Sequence, residues 1–419
     1  MELELADFPV KHIVFGAGVQ YQKGVLTIES RQLTELVMAD HRVEDVKFEL
    51  ANPGDNVLIT QIHDVSAPIV KATGPSCVFP GVLGLPLPTG CGTTHRLPGC
   101  TVIVSAEIPW DGPVTLTSPS ALMLAMNDPH GRSPLSKTHN IVVVLTLTSG
   151  LSELEYHNAI QLAEYKVAQR LAETTLGLEP ADKSSYSLLD SKKDLPKIVL
   201  IQALANEASA PHPRVGLYGI PVRDSFPTWI HPNELIDGSV TPGTFSMGSS
   251  IPTTWDWQHH SMAMTLYQHH GIDLNFGGVI LKPSGNSLAE KELMADRAAK
   301  LASELGADGA IICWMGSGQR AIDPMLTLQA CEQLRVATTL VTWEHAGPDG
   351  KEPPLVYTVP EANAMVSTGT SGTQISLTAF EQVDKVIGSE HIPAETSRFA
   401  SPLGDRDFFG AGVRANVEF

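Results

Sequence analysis

The chain has 419 residues and a formal net charge of −18, with 42 % hydrophobic and 18 % charged residues. This composition is typical of a globular protein with one large domain or two ordinary ones. The negative charge argues against partners such as nucleic acid or anionic membranes, because both would repel the chain.

The five cysteines form no CxxC motif, the first residues are acidic, and no apolar run approaches ~20 residues. We therefore expect a cytoplasmic protein without a disulfide framework, a signal peptide or a membrane span.

Residues 1–150 are predicted to form a β-rich domain. Short apolar runs alternate with Gly in residues 11–28, which predicts a hairpin. Three further apolar runs predict strands over residues 56–65, 100–108 and 140–148. Between them, the Gly- and Pro-rich residues 73–100 indicate a long irregular loop of the kind that binds a ligand or a partner.

Residues 152–175 carry the clearest helical pattern, with apolar side chains on one face and Gly177 as a stop signal. The polar residues 179–194 are predicted to be a linker.

From residue 197 onwards, strand and helix patterns alternate, which is typical of a doubly wound, mostly parallel α/β layer. Strands are predicted over 197–204, 275–281, 309–315 and 338–343, and helices over 256–270, 288–305 and 324–335. The predicted fold class is therefore α/β: a β-rich part over 1–150, a doubly wound part over 151–388, and an irregular tail over 389–419.

Residues 316–321, GSGQRA, lie between a predicted strand and a predicted helix, with Asp323 as the expected N-cap and Pro324 at the first helical position. The pattern fits the dinucleotide fingerprint G-x-G-x-x-A. A tight turn also uses Gly without any ligand, and a small anion at the helix N-terminus is a third reading. No bound cofactor is predicted from this motif.

Four histidines fall on the predicted helix 256–270. His259 and His270 would share one face but lie about 16 Å apart by the helical rise, so they cannot bind one metal together. His259 and His260 follow the small-residue loop 237–250 closely, and we predict catalytic roles for both. The motif HExxH is absent, and no metal site is predicted.

Two further groups could act on a ligand. Cys91 and His95 could be a nucleophile and its base, or a small thiol and a capping imidazole in a Gly-rich turn. Arg132 and His139 lie in a polar segment before a strong strand, where they could hold a carboxylate or form a solvated loop.

Ten motifs, in order from about residue 10 to 387, resemble a known family: the precursor of the component B alpha and beta subunits of the glycine, sarcosine and betaine reductase complexes. The motifs are KHIVFGAGVQYQKGVLTI, ANPGDNVLI, CVFPG, GCGTTHRLPG, SKTHNIVVV, ELIDGS, TTW, YQHHGIDLNFGGVIL, AEKE and VTWEHAGPDG. Proline reductase is similar to this family as well.

The resemblance implies a substrate-binding subunit of a system that cleaves C–N bonds reductively. It would form a hetero-oligomer with a second component B subunit that carries a redox-active selenocysteine or cysteine. In the family, the chain is cut before a cysteine that becomes a pyruvoyl group, whose carbonyl captures the amine of the substrate.

The sequence departs from the family pattern at that point. Thr244 and Phe245 replace an Asn-Cys pair, and no cysteine lies between Cys100 and Cys313. A pyruvoyl group from cysteine is therefore not expected, and a serine-derived one at Ser246 would be out of register.

We therefore expect an uncleaved subunit acting on a small amine, betaine or amino-acid-like metabolite. Its substrate would contact Thr244, Phe245, Ser246, Trp255, Asp256 and Trp257, with cation–π contacts from the tryptophans to a quaternary ammonium group. Trp257 and His259 stand where the family has a His and an Asn, which indicates a rebuilt pocket. Two alternatives stay open: a hydrolase or lyase that uses His or Cys residues, with or without a metal, and a non-catalytic binding or assembly subunit.

Overall fold

The computed structural model describes residues 1–74, 77–109, 122–127, 133–204, 215–242, 252–314, 321–344, 357–370, 383–388, 401–403, 407–410 and 415–417. Within these ranges, no helix is both long enough and apolar enough to cross a membrane.

The described residues of the first part of the chain form thirteen strands and two helices. The strands are β1 (Glu2–Asp7), β2 (His12–Phe15), β3 (Gln20–Gln22), β4 (Val25–Ile28), β5 (Val43–Ala51), β6 (Val57–Ile59), β7 (Ile62–Ser66), β8 (Ile69–Lys71), β9 (Gly92–Arg96), β10 (Cys100–Ala106), β11 (Leu122–Ala125), β12 (His139–Leu147) and β13 (Asp182–Ser187). The helices are α1 (Ser30–Met38) and α2 (Glu153–Ala172), and Pro134–Lys137 and Glu173–Thr175 form 3₁₀ turns.

These strands form small sheets around α2. Two sheets have four strands each, in the orders β5-β12-β10-β7 and β13-β1-β9-β8, and a third has the order β2-β4-β3. A capping box at Ser152 and Glu155 starts α2. Its buried face packs with the inward side chains of β10 and β12 in one apolar core, so the boundary predicted at residue 150 runs between elements that share a core.

The remaining described residues supply twelve strands and five helices. The strands are β14 (Lys197–Leu204), β15 (Gly216–Leu217), β16 (Ile220–Pro221), β17 (Thr228–Ile230), β18 (Val240–Thr241), β19 (Asn275–Pro283), β20 (Gly309–Cys313), β21 (Ala337–Glu344), β22 (Met365–Thr370), β23 (Lys385–Ile387), β24 (Ser401–Pro402) and β25 (Ala415–Val417). The helices are α3 (Pro232–Ile236), α4 (Thr254–Gln258), α5 (Ser261–His269), α6 (Leu288–Glu304) and α7 (Ile322–Gln333).

The large sheet has seven strands in the order β17-β19-β14-β20-β21-β22-β25. The five central strands are parallel, and β17 and β25 are antiparallel at the two edges. Side chains of α5 pack on one face of the sheet, and side chains of α6 and α7 pack on the other. The predicted doubly wound, mostly parallel α/β part is thus confirmed.

The predicted hairpin is present within residues 12–28: β3 and β4 form it across Lys23 and Gly24, which both have positive φ, and β2 pairs with β4 in parallel. Two local predictions were wrong. Residues 56–65 are two strands of different sheets, separated at Gln61 with φ 50°. Residues 182–187 of the predicted linker form β13, whose polar side chains suit an exposed edge strand.

The predicted helix 256–270 is also wrong, because it is two helices. His259 is the C-cap residue of α4, and the side chain of His260 caps the N-terminus of α5. The 16 Å spacing expected between His259 and His270 therefore does not apply. The described parts of the tail, predicted to be irregular, supply β24 beside β11 and β25 beside β22.

A buried carboxylate at the end of α3 joins the two parts of the chain. Asp237 is fully buried and forms an ion pair with Lys71 of β8. It also accepts hydrogen bonds from the backbone N–H of Gly90 (2.7 Å) and the hydroxyl of Thr94 (2.6 Å) on β9. The motif ELIDGS therefore has a structural role, because its Asp237 connects α3 to β8 and β9.

We predict that Asp237→Asn lowers the free energy of unfolding by about 3 kcal/mol, because the substitution leaves the ammonium of Lys71 buried without its partner. Urea denaturation measures the change. The matched control is Asp296→Asn, which breaks an exposed ion pair with Lys300 and should cost less than about 1 kcal/mol. Equal losses in the two variants would contradict the prediction.

Candidate functional site

The strand order of the large sheet reverses between β14 and β20. β14 is followed along the chain by β19 on one side, and β20 lies on the other side. In sheets of this kind, ligands bind outside the carboxyl ends of the strands at such a reversal. The described residues next to this point include Gln202 of β14, Cys313 of β20, and the aromatic cluster that we define as Trp257, His260, Phe408 and Phe409.

His260 is fixed at both ring nitrogens. Its Nδ1 accepts the backbone N–H of Ala263 at 3.4 Å, and its Nε2 lies 3.0 Å from the amide oxygen of Gln202. Because that oxygen can only accept, the network assigns the proton to Nε2. Burial lowers the pKa of His260 to about 3, so the imidazole is neutral near pH 7.

This arrangement makes His260 a positioning residue. The imidazole stacks on Phe409 with ring centroids 3.8 Å apart. It holds the side chain of Gln202, whose amide N–H donates to the carbonyl oxygens of Ala203 (3.0 Å) and Cys313 (3.4 Å). Both ring nitrogens thus have partners within the protein, and the predicted catalytic role of His260 stays a prediction.

Trp257 presents an unpaired donor inside the same cluster. Its side chain is fully buried, with its ring centroid 5.2 Å from that of Phe409 and 6.0 Å from that of His260. Among the described residues, none supplies a hydrogen-bond acceptor to the indole Nε1–H. A buried donor without an acceptor costs about 1–3 kcal/mol, so this N–H points to a ligand that brings an oxygen acceptor.

The other predicted residues of α4 lie elsewhere. Trp255 is half-buried and stacks on the exposed His259 at a centroid distance of 4.4 Å. Asp256 is occupied in the capping box of α4, where its carboxylate accepts the N–H (2.7 Å) and the hydroxyl (2.9 Å) of Thr253. Only Trp257 of these residues belongs to the aromatic cluster.

Two side chains fasten α4 to the first part of the chain. Asp64 of β7 accepts the backbone N–H of Thr254 (2.8 Å) and its hydroxyl (2.6 Å). The amide of Gln258 accepts the N–H of Ala67 (2.8 Å) and donates to its carbonyl oxygen (3.2 Å). Both ends of α4 are thus held, and the helix presents Trp257 to the core of the large sheet.

A second acid lies beside Asp64. Asp64 and Glu164 are both fully buried. Burial, opposed by hydrogen bonds from Thr254, raises the pKa of Asp64 to about 7. Burial and the nearby charge of Asp64 raise the pKa of Glu164 well above its usual value. The pair therefore retains a proton at neutral pH, because two adjacent carboxylates cannot both ionise at low cost in a dry site.

The structure does not bring Cys91 and His95 together. Cys91 precedes β9 and His95 lies four residues further along it, so the rise of an extended chain separates them by about 13 Å. The Nδ1 atom of His95 lies 2.9 Å from the hydroxyl oxygen of Thr175, and its ring packs on Phe8 at 4.7 Å. A nucleophile–base pair of these two residues has no support in this geometry.

His139 begins β12, where its Nδ1 lies 2.9 Å from the side-chain oxygen of Asn52. Four other predicted contact residues lie outside the described residues: Arg132, Thr244, Phe245 and Ser246. The same holds for most of the glycine motif 316–321. Among the described residues, no group of three or more His, Cys, Asp or Glu side chains is placed to hold a metal ion.

Sequence reasoning missed the polar residues that position the cluster, namely Asp64, Glu164, Gln202 and Gln258. Their partners are far away along the chain: Asp64 and Thr254 are 190 residues apart. No local pattern marks such pairs. The one available signal was the presence of an acid within each of the apolar segments that became β7 and α2.

Residues 1–399 match a family described as glycine/sarcosine/betaine reductase component B subunits. The chain belongs to this family. The resemblance seen in the ten motifs is confirmed over a longer range than the motifs cover.

Curated members of the family are similar over most of their length. The alpha subunit of sarcosine reductase complex component B from Peptoclostridium acidaminophilum is 32 % identical over 396 residues, which cover 93 % of this chain and 89 % of the relative. The alpha subunit of betaine reductase complex component B from the same organism is 30 % identical over 427 residues, covering 99 % and 94 %. Glycine reductase complex component B subunits alpha and beta from Acetoanaerobium sticklandii is 28 % identical over 396 residues, covering 93 % and 89 %. No solved structure matches the chain significantly.

The acid pair predicts a pH dependence of stability. The folded-state pKa of Asp64 is raised to about 7, whereas an unfolded Asp titrates near 3.9. Between these values the folded chain binds more protons than the unfolded chain. The contribution of Asp64 is therefore complete below about pH 4 and is lost as pH rises through about 7.

We expect Asp64→Asn to flatten this part of the curve of unfolding free energy against pH, measured by urea denaturation at a series of pH values. The control is Asp45→Asn, at an exposed position of β5, which should keep the wild-type slope. An unchanged slope in Asp64→Asn would show that the acid pair does not hold the proton.

Proposed function

We propose that the chain is the substrate-binding subunit of a reductase complex of the component B type and that it works without cleavage of its backbone. Its substrate would be a small amine or betaine that carries a carboxylate. The observation that carries the proposal is the unpaired Nε1–H of Trp257 in an aromatic cluster, at the sheet edge where this fold binds ligands.

The aromatic cluster fits both ends of such a molecule. The N–H of Trp257 can donate to a substrate carboxylate, and a hydrogen bond to a charged group is stronger than one between neutral groups. Aromatic faces attract quaternary ammonium groups through cation–π contacts. A betaine combines both features and needs no Schiff base for binding, because its nitrogen has no proton to lose.

The electrons for C–N cleavage would come from a partner. All five cysteines of the chain are free: Cys77 and Cys91 are half-buried, and Cys100, Cys313 and Cys331 are buried. Burial raises the pKa of Cys100 and that of Cys331, which makes their reactive thiolate forms scarce. A redox subunit with a selenocysteine or cysteine would supply the reducing equivalents in a hetero-oligomer.

The proposed absence of cleavage rests on the cysteine positions. No cysteine lies between Cys100 and Cys313, whereas the processing inferred from the family resemblance requires one after Gly243. We therefore propose that the subunit acts without a backbone-derived carbonyl.

Intact-mass spectrometry of the chain purified from its native cells tests this proposal. One full-length species is expected, because no thiol is present to start the acyl shift. Two fragments, the second starting near residue 246 with a carbonyl-bearing terminus, would overturn it.

Ligand binding tests the role of Trp257. Calorimetric titration with glycine betaine should show binding to the wild-type chain. Trp257→Phe keeps the aromatic ring and removes the N–H, and it should weaken binding by about 10-fold or more, since a hydrogen bond to a charged group contributes about 1.5–3 kcal/mol.

The matched control is Trp229→Phe. Trp229 lies on the edge strand β17, and its indole N–H already donates to the carbonyl oxygen of Gly277 at 3.0 Å. This variant should bind betaine as the wild type does. If Trp257→Phe also binds with unchanged affinity, the ligand does not use the indole N–H and the proposed site is wrong.

A further inference from the structure

A second group of charged side chains is buried on the opposite face of the large sheet. Lys282 lies at the carboxyl end of β19, Lys291 in the first turns of α6, and Asp323 in the first turn of α7. Their side chains are 0 %, 8 % and 0 % exposed. Asp323 was predicted to be the N-cap residue of α7. The N-cap residue is Ala321 instead, and the carboxylate of Asp323 accepts hydrogen bonds from the two lysines.

The three charges do not balance. The Nζ atom of Lys282 lies 2.9 Å from Oδ1 of Asp323, and Lys291 pairs with Oδ2. In the described part of the chain, neither lysine forms an ion pair with a second carboxylate. Two ammonium groups with one carboxylate leave one positive charge in a dry site, which is costly.

The imbalance disappears if Lys282 is an uncharged amine. Burial lowers the pKa of Lys282, and the charge of Lys291 acts in the same direction, against the opposing effect of Asp323. Lys291 is slightly exposed and would remain the charged partner of Asp323. A desolvated lysine beside another cation is the environment in which an amine becomes a nucleophile.

We propose that Lys282 is an uncharged, nucleophilic amine that captures a small 2-oxo acid as a Schiff base, with Asp323 and Lys291 holding the charges around it. Nζ attacks the carbonyl carbon, and the C=O electron pair moves to oxygen. The carbinolamine then loses that oxygen as water, which takes one proton from the nitrogen and one from solvent, while the nitrogen lone pair forms the C=N bond of a protonated Schiff base. One water is released and nothing is oxidised or reduced.

Charge balance selects the substrate class. Before reaction, neutral Lys282, Lys291 and Asp323 sum to zero. A protonated Schiff base adds one positive charge, and the carboxylate of a 2-oxo acid adds one negative charge, so the sum stays zero. An uncharged aldehyde or ketone would leave the iminium uncompensated, and binding would be weaker.

This site is separate from the aromatic cluster. Lys282 pairs in register with Ala203, whereas Gln202, which contacts His260, pairs with Leu281. Successive residues of a strand point to opposite faces of a sheet. The proposal therefore does not depend on the betaine site, and either one can fail without the other.

Reductive trapping tests the proposal. The full-length chain is incubated at pH 7 with glyoxylate and sodium cyanoborohydride, and modified lysines are located by peptide mass spectrometry. Lys282 should be labelled faster than the exposed Lys300, because a lowered pKa raises the fraction of the amine that is neutral. Lys282 labelled no faster than Lys300 in a chain with a native circular dichroism spectrum would overturn the proposal.

Variants separate reactivity from folding. Lys282→Met cannot form a Schiff base and, like the neutral amine, carries no charge, so it should lose the fast label and keep a native circular dichroism spectrum. Lys291→Met removes the neighbouring cation and should slow the labelling of Lys282, while Lys300→Arg should leave it unchanged. Propionaldehyde should label Lys282 more slowly than glyoxylate; equal rates would overturn the assignment of a 2-oxo acid.

Discussion

The two-point attachment of α4 is the constraint on which the candidate site depends. Asp64 binds the first residue of the helix through both carboxylate oxygens, and Gln258 binds the backbone of Ala67 at its end. A five-residue helix has too few internal hydrogen bonds to persist alone. These contacts from the first part of the chain therefore fix which way Trp257 points.

The acid that attaches α4, Asp64, is buried, and burial raises its pKa, so that it binds a proton more readily. Asp64 is satisfied by Thr254, and Tyr165 adds a hydroxyl within 2.6 Å of the Thr254 hydroxyl. Glu164 has no comparable set of donors and lies against Asp64. Since a dry site accommodates one charge more easily than two, the pair links the position of α4 to protonation. The aromatic cluster, by contrast, is built from neutral groups.

Much of the fold could be predicted from the sequence, because the spacing of apolar residues along the chain differs between helices and strands. The apolar stripe of α2 and the strand–helix alternation after residue 197 gave the correct elements within a few residues. Errors arose where one side chain breaks a pattern: His260 caps a new helix within an apparently continuous one. They also arose where a polar segment forms a strand by pairing with a distant strand, as β13 pairs with β1.

The site was less predictable for the same reason. His260 and Trp257 were singled out from composition, but their roles depend on Gln202 and Phe409, 58 and 152 residues away along the chain. Asp323 was singled out only as a helix cap, and no sequence pattern connects it with Lys282, 41 residues away. The family match identifies the chain as a member of the reductase component B subunit family. Thr244 and Phe245, where the sequence departs from the family pattern, lie outside the described residues.

The most direct measurement is a crystal structure of the chain soaked with glycine betaine. The account predicts the carboxylate of betaine within hydrogen-bond distance of Trp257 Nε1, with the trimethylammonium group against an aromatic face. Betaine bound elsewhere, with the indole N–H still unpaired or bonded to the protein, would contradict it.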